Sequence, residues 1–251
     1  MSDRLEISGI YSSKEFDSGD SISEMICENM SQFGGIQNHD LFVITQKIVS
    51  KSESRTRNLN DIKPSSQAND LAEKTFKDPR LVQLILDESK NIIRVDEFRG
   101  ILITETNHGF ICANAGIDKS NVRKNTALLL PEDPNKSANK FRKRFESLAN
   151  VPIAVIISDT FGRAWRKGQV NFAIGSSGIN PIDSYIGKLD SFDNELNATE
   201  IAVIDELASA AELVMKKTID IPIAIIRGVD YENSKLTANE LIRDDNEDFF
   251  L

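Results

Sequence analysis

From residue 151 the chain runs Val151-Pro152-Ile153-Ala154-Val155-Ile156-Ile157-Ser158-Asp159-Thr160-Phe161-Gly162-Arg163-Ala164-Trp165-Arg166-Lys167-Gly168-Gln169. The apolar run Val151 to Ile157 predicts a short buried strand. Polarity then changes at once. An acid and a hydroxyl at the end of a strand can hold a hard divalent cation, and the arginines, lysine and glycines that follow bring positive charge and close backbone approach. The grouping suits a phosphate-bearing substrate with its metal. Taken singly, Asp159 reads equally well as a helix N-cap or turn residue. Arg163 and Arg166 are either a clamp on a transferring phosphoryl group or exposed side chains on a helix.

Outward from this stretch, Ile221 to Ile226 repeats the pattern of a β-branched run broken early by a proline. Leu41 to Val49 is a further strand candidate. Ile22 to Phe33 has helical spacing and stops at Gly34-Gly35. Two helices are expected over Pro64 to Lys77 and Pro79 to Ser89, broken near Asp78-Pro79. Short runs around Ile92 to Val95, Ile101 to Thr104 and Phe110 to Cys112 suggest antiparallel strands with turns at Arg99-Gly100 and Asn107-His108-Gly109. Pro134 to Ala149 predicts a charged helix opened by proline. Asn197-Ala198-Thr199-Glu200 has the capping-box pattern, followed by Ile201, Ile204, Leu207, Ala208, Ala211 and Val214 at helical spacing. The acidic tail, Asp244 to Leu251, either packs through Phe249 and Phe250 or frays. Helices mixed with clustered short strands imply an α+β fold with mixed, largely antiparallel sheets and flanking helices, and not a regularly alternating doubly wound one.

Composition narrows the classes. The chain has 251 residues, 30 Lys and Arg against 39 Asp and Glu, and a net charge of −9. That balance argues against a general nucleic-acid binder, while leaving room for a local basic site. Cys27 and Cys112 lie too far apart for metal-ligand spacing and read as buried reduced thiols. With only two histidines a His-rich zinc centre is not expected. Neither a signal peptide nor a bilayer-length apolar run is present, so a cytoplasmic protein without membrane contact is expected.

GxxxxGK[ST] and GxGxxG are both missing, so a nucleotide site must be assembled from scattered loops. Gly175-Ser176-Ser177-Gly178 is either an anion cradle or a plain turn. A second acidic loop, Ala113 to Asn121, carries Asp118 in good turn chemistry. Paired with Asp159 it favours a metal–phosphate site, because a nucleotide triphosphate with Mg²⁺ or Mn²⁺ needs oxygen ligands and cations together. Lys47 and Lys51, four residues apart, would share a face of an extended strand and either grip a nucleotide phosphate or line a solvated edge.

Taken together these segments resemble the coenzyme F-420-0:L-glutamate ligase (CofE-type γ-glutamyl ligase) family. The matching blocks are Thr45 to Arg55, Thr104 to Phe110, Ala113 to Val122, Ser158 to Gln169, Asp205 to Met215 and Glu240 to Arg243. They span nearly the whole chain in order, and the ANAGIDxSNV and SDTFGRxWRxGQ patterns are long. The resemblance implies a GTP-dependent ligase: GTP phosphorylates a terminal carboxylate of the deazaflavin precursor F-420-0, and L-glutamate displaces phosphate, first by an amide and then by a γ-linkage. By the same resemblance Asp118 and Asp159 bind one divalent ion and Thr160 contributes to a second. Asn121, Gln46, Lys47, Lys51 and the loop Ile10-Tyr11-Ser12-Ser13 contact GTP, with Met215 and Lys217 near the same site. Mg²⁺ or Mn²⁺ with K⁺, a homodimer and a two-part fold are implied too. A single ligase domain over 1–251 is expected, able to comprise two intertwined subdomains, with no fused flavin domain.

Two departures stand out. The family's N-terminal loop reads Gly-(Ile/Leu)-Pro where this chain has Gly9-Ile10-Tyr11. The family reads Met-Gly-Gln where this chain has Met215-Lys216-Lys217, and a lysine is a cation with no acceptor to offer a metal. Lys217 therefore either reaches a phosphate itself or weakens the second metal site. The alternatives to a ligase are a metal-dependent phosphotransferase or phosphatase with Asp159 as nucleophile, which would lack the second acid of a DxD pattern, and a nucleotide-binding regulatory protein without turnover.

Overall fold

The computed structural model describes residues 4–120, 122–244 and 246–247. In chain order the elements are β1 (Glu6–Ile10), α1 (Ile22–Asn29), β2 (Leu41–Thr45), α2 (Gln46–Ser52), β3 (Thr56–Asn58), α3 (Ser66–Thr75), α4 (Pro79–Asp87), β4 (Ser89–Asp96), β5 (Ile101–Thr106) and β6 (Ile111–Ala113). There follow β7 (Thr126–Leu128), α5 (Pro134–Ala149), β8 (Ala154–Arg163), β9 (Arg166–Ser177), β10 (Asp183–Ser184), β11 (Glu200–Ile201), α6 (Val203–Met215) and β12 (Ile223–Arg227).

The main sheet has the order β1-β12-β2-β8-β9. Its one parallel pair is β2 with β8, in register from Leu41↔Ala154 to Thr45↔Ser158, and its other pairs are antiparallel. The central strands read as continuous apolar runs because both faces are covered. Phe42, Ile44, Val155, Ile157, Ile223 and Ile225 face the side of α1 and α5, whose Ile22, Ile26, Phe141 and Phe145 close that core. Leu41, Val43, Ala154, Ile156, Ala224 and Ile226 face α6, which meets them with Ile204, Leu207, Ala208 and Ala211. Alanines on both sides of this second interface let the helix lie close to the sheet.

A third core joins α3 and α4 to β5 and β7, through Ala68, Val82, Ile85, Leu102 and Ala127. Beside it stands the antiparallel sheet β4-β5-β6. Arg55 ties this part to the rest, donating to the Leu130 carbonyl at 2.7 Å and to Glu88 at 2.8 Å. The architecture is α+β with mostly antiparallel sheets, as the sequence implies.

Local signals account for most boundaries. Ser21 caps α1 by accepting from the Glu24 N–H, and Gly34 at φ 74° ends the helical segment that follows. Asp133 caps α5, whose first residue is Pro134.

Four expectations are corrected. The strand from Leu41 stops at Thr45, and Gln46 onward is helix; Ile48 and Val49 reach the core from α2 as well as they would from a strand, and an apolar run alone does not separate the two. Consequently Lys47 and Lys51 share a helix face at i, i+4 and not a strand face. The capping-box segment does not open a helix: its last residue, Glu200, pairs with Ser184 in β10–β11, and α6 starts at Val203 with no side-chain cap. Ser158 to Arg163 continues β8 into a hairpin with β9, so Arg163 and Arg166 face each other across a turn and not along a helix. Gly175 to Ser177 are the end of β9 and form neither turn nor cradle; Gly175 lies flat on the first turn of α5. The suggested packing of Phe249 and Phe250 lies outside the described residues.

Candidate active site

The parallel strands β2 and β8 end side by side, and the polar groups gather at their carboxyl ends. A register shift between Ile157 and Ser158, opposite Gly175 and Ala173, places a bulge just ahead of Asp159; such bulges re-aim the residues that follow. Beyond it the pleat alternates. Asp159 and Phe161 face the side of Phe110, with Phe161 6.1 Å from the Phe110 ring, whereas Thr160 faces α6.

Asp118 comes from the other part of the molecule. It forms an isolated bridge with Leu128 of β7, exchanging both backbone hydrogen bonds at 2.9 Å. The turn before it holds Asn114, Ala115 and Gly116 all at positive φ, between 53° and 67°. Ala115 is buried there despite the unfavourable backbone region.

Lys47, from the first turn of α2, pairs with Asp118 and acts on Asp159 through its charge. Its ammonium lies 2.8 Å from Asp118 Oδ2 and 2.6 Å from Ser120 Oγ. Ser120 in turn donates to Asp118 Oδ1 at 2.7 Å. Burial alone would raise the Asp118 carboxyl, but the hydrogen bonds from Lys47 and Ser120 outweigh it and hold it below the usual carboxylate range. Asp159 behaves oppositely. Burial pushes its carboxyl up to about 7; the Thr160 N–H opposes this, the charge of Asp118 adds to it, and Lys47 and Lys217 pull it down. Lys47 is paired with Asp118 and leaves the Asp159 carboxyl without an ion pair of its own among the salt bridges of the described residues, so a divalent ion between the two acids would favour the charged form of both.

Among the described residues no third His, Cys, Asp or Glu joins them as a metal cage. The donor set therefore fits an ion shared with substrate phosphates, the usual arrangement for Mg²⁺.

Thr160 forms a second cluster. Its hydroxyl donates to Asn171 Oδ1 at 2.7 Å and accepts from the Lys217 ammonium, which also reaches Asn171 at 3.3 Å. Asn171 and Ser120 went unpredicted. The one signal for Asn171 was an amide amid the apolar alternation of Val170 to Ile174.

The remaining predicted residues spread outward. Gln46 is fully buried, donating to Ser50 Oγ at 2.7 Å, with its Oε1 lacking a partner. Lys51 lies 3.7 Å from Glu15 on the N-terminal loop. Ile10 is buried in β1, Ser12 donates its N–H to Asp220 at 2.9 Å, and Tyr11 and Ser13 are exposed. Arg163 donates to the Lys167 carbonyl at 2.7 Å within its own hairpin, and Arg166 is exposed beside it. Met215 packs into the α6-side core. Asn121 lies outside the described residues. Asp118, Asp159 and Lys47 thus converge, as do Thr160 and Lys217, while Arg163, Arg166 and Met215 stand apart from both groups.

Known proteins resemble this chain over most of its length. Residues 12–228 match the family described as F420-0:Gamma-glutamyl ligase. A coenzyme F420:L-glutamate ligase of Methanocaldococcus jannaschii is 45% identical over 216 residues, 86% of each chain. That of Methanothermobacter thermautotrophicus is 45% identical over 212 residues, 84% of this chain and 83% of its own. A third, from Methanopyrus kandleri, is 40% identical over 237 residues, 92% of each chain. A match of this extent, over a chain that brings Asp118, Asp159 and Lys47 to one point, places the protein in the F420-0:gamma-glutamyl ligase family.

Proposed function

We propose that this chain is a GTP-dependent ligase that joins L-glutamate to coenzyme F-420-0 through an acyl phosphate. The observation that carries the reading is that Asp118 and Asp159, drawn from two parts of the molecule, lie near enough for the charge of one to act on the other, with Lys47 bonded to the first. A carboxylate oxygen of the acceptor attacks the γ-phosphorus, the bridging P–O bond breaks, and GDP leaves. The amine of glutamate then attacks the activated carbonyl, loses a proton and expels phosphate, so one amide forms for each GTP cleaved. A bound Mg²⁺ or Mn²⁺ would neutralise the repulsion between the two reacting anions.

The chain's own groups do the rest. Asp118 and Asp159 would hold that ion, and Lys47 would exchange Asp118 for a phosphate oxygen when nucleotide enters. Lys51, Gln46, Asn121 and the loop from Ile10 to Ser13 belong to the GTP side of this reading; Arg163 and Arg166 would close over the phosphates by bending of the β8–β9 hairpin. K⁺ completes the ion requirement. Asp118 and Asp159 come from different sheets, which supports one ligase domain working as a unit. Tyr185, Ile186, Leu189 and Phe192 expose a run of apolar side chains on the β10–β11 arm, and this supports a homodimer. No helix among the described residues is long and apolar enough to cross a membrane. Two unpaired cysteines suit a reducing compartment such as the cytoplasm.

The test is mass spectrometry of F-420-0 after incubation with the protein, GTP, L-glutamate and Mn²⁺. Gains of whole glutamyl units with matching GDP are expected. An unchanged acceptor would refute the reading. Asp159→Asn is expected to cut turnover by about 100-fold or more with an unchanged circular dichroism spectrum; undiminished turnover would remove Asp159 from the mechanism.

A further inference from the structure

The cluster on the α6 face of the β8–β9 hairpin is a cation held by oxygens. Helix α6 ends at Met215, and Lys216 at φ 49° and ψ −167° throws the chain back over the sheet. Lys217 is thereby aimed at the hairpin. Its ammonium donates to the Thr160 hydroxyl and, at 3.3 Å, to Asn171 Oδ1, and it lies 3.8 Å from Glu212 Oε1. A hydroxyl, an amide carbonyl and a carboxylate are the donor types that hold a hard metal ion. Here they surround a covalently tethered charge.

The bonds around Thr160 are also committed. Its proton goes to Asn171 at 2.7 Å and one lone pair receives Lys217. An ion entering at Thr160 would meet the ammonium at hydrogen-bonding range and would have to displace it. On the opposite face, where Asp159 points away from Thr160 across the pleat, an entering ion meets one ammonium as well, that of Lys47 on Asp118, but also two carboxylates to draw it in, whereas Thr160 and Asn171 are both neutral.

We infer that Lys217 is a built-in substitute for a second cation, so that this chain takes one divalent ion, at Asp118 and Asp159, and none at Thr160. Lys217 is in this respect a positioning residue, fixing a single positive charge beside the site whatever the metal supply. The inference rests on the metal reading given under Proposed function.

The experiment counts Mn²⁺ bound to the full chain by electron paramagnetic resonance, using Mn²⁺ alone as the probe. About one tightly held ion per chain is expected for the unaltered protein and for Lys217→Arg, which keeps the charge. Lys217→Gln removes the charge and offers an oxygen, and about two are expected. Two ions on the unaltered protein, or one on both it and Lys217→Gln, would overturn the inference. No bound ion on the unaltered protein, with none gained in Lys217→Gln, would instead strike at the metal reading of Asp118 and Asp159 itself.

Discussion

Lys216 carries a backbone conformation that side chains rarely adopt, φ 49° and ψ −167°. Its side chain is exposed and repays none of that strain through burial. Lys216→Gly is therefore expected to stabilise the protein by about 1 kcal/mol, the relief of strain exceeding the extra flexibility gained by the unfolded chain. A lower midpoint in chemical denaturation would contradict this. Cys112 makes a second residue-scale case. Burial, helped by the charge of Asp159 and opposed by a hydrogen bond from the Gly116 N–H, pushes its thiol up to about 12. At pH 8 only about one molecule in 10⁴ carries the thiolate there, rising tenfold with each pH unit. Burial raises the Cys27 thiol too, but that residue is only half covered. A thiol reagent on the native protein should label Cys27 first, with Cys112 reacting only on unfolding; equal rates would disprove the burial argument.

Between elements, β9 and α5 meet at a tight junction. A Cβ on Gly175 would stand 2.4 Å from the Pro134 carbonyl carbon and 2.5 Å from its oxygen, backbone that cannot swing aside. Gly175→Ala should cost about 3 kcal/mol, the upper range for overpacking a closed interface. Gly162, in the same hairpin, has open space where a Cβ would stand, with nothing within 4 Å. Its alanine variant should stay within about 0.5 kcal/mol of the parent. Similar thermal midpoints for the two variants would show that α5 can shift off the sheet.

At the scale of the whole molecule, Arg227, at the end of β12, holds the main sheet to the chain that enters β2. It meets Asp40 at 2.7 and 3.0 Å and the carbonyls of Phe33 and Gly35 at 2.6 and 2.7 Å. Asp40 is 1% exposed. Truncation would strand that carboxylate in a dry site, so Arg227→Ala should lose about 3 kcal/mol or more, read from the denaturation midpoint. A loss below about 1 kcal/mol would mean that water enters and replaces the guanidinium. Arg55, bridging Leu130 and Glu88, performs the corresponding task between the main sheet and the α3–α4 part.

Local sequence by itself determined much of this. Proline at the start of α5, glycines closing α1 and the paired short runs of β4 to β6 act within a few residues, so their signals survive without tertiary context. Asp159 drew notice because an acid at the end of an apolar run is a local pattern, and Asp118 because it stands in a turn-rich acidic loop. What only the tertiary structure decided was which way ambiguous runs went and which side chains met. Ile48 and Val49 bury equally as helix or strand, and the cover provided by α1 and α5 selected helix. Thr199-Glu200 had cap chemistry, yet pairing with β10 claimed it. The meeting of Lys217 with Thr160 and Asn171 spans 57 and 46 residues, and depends on the strained turn at Lys216. Contacts of that length are set by packing of whole elements, and no local pattern encodes them.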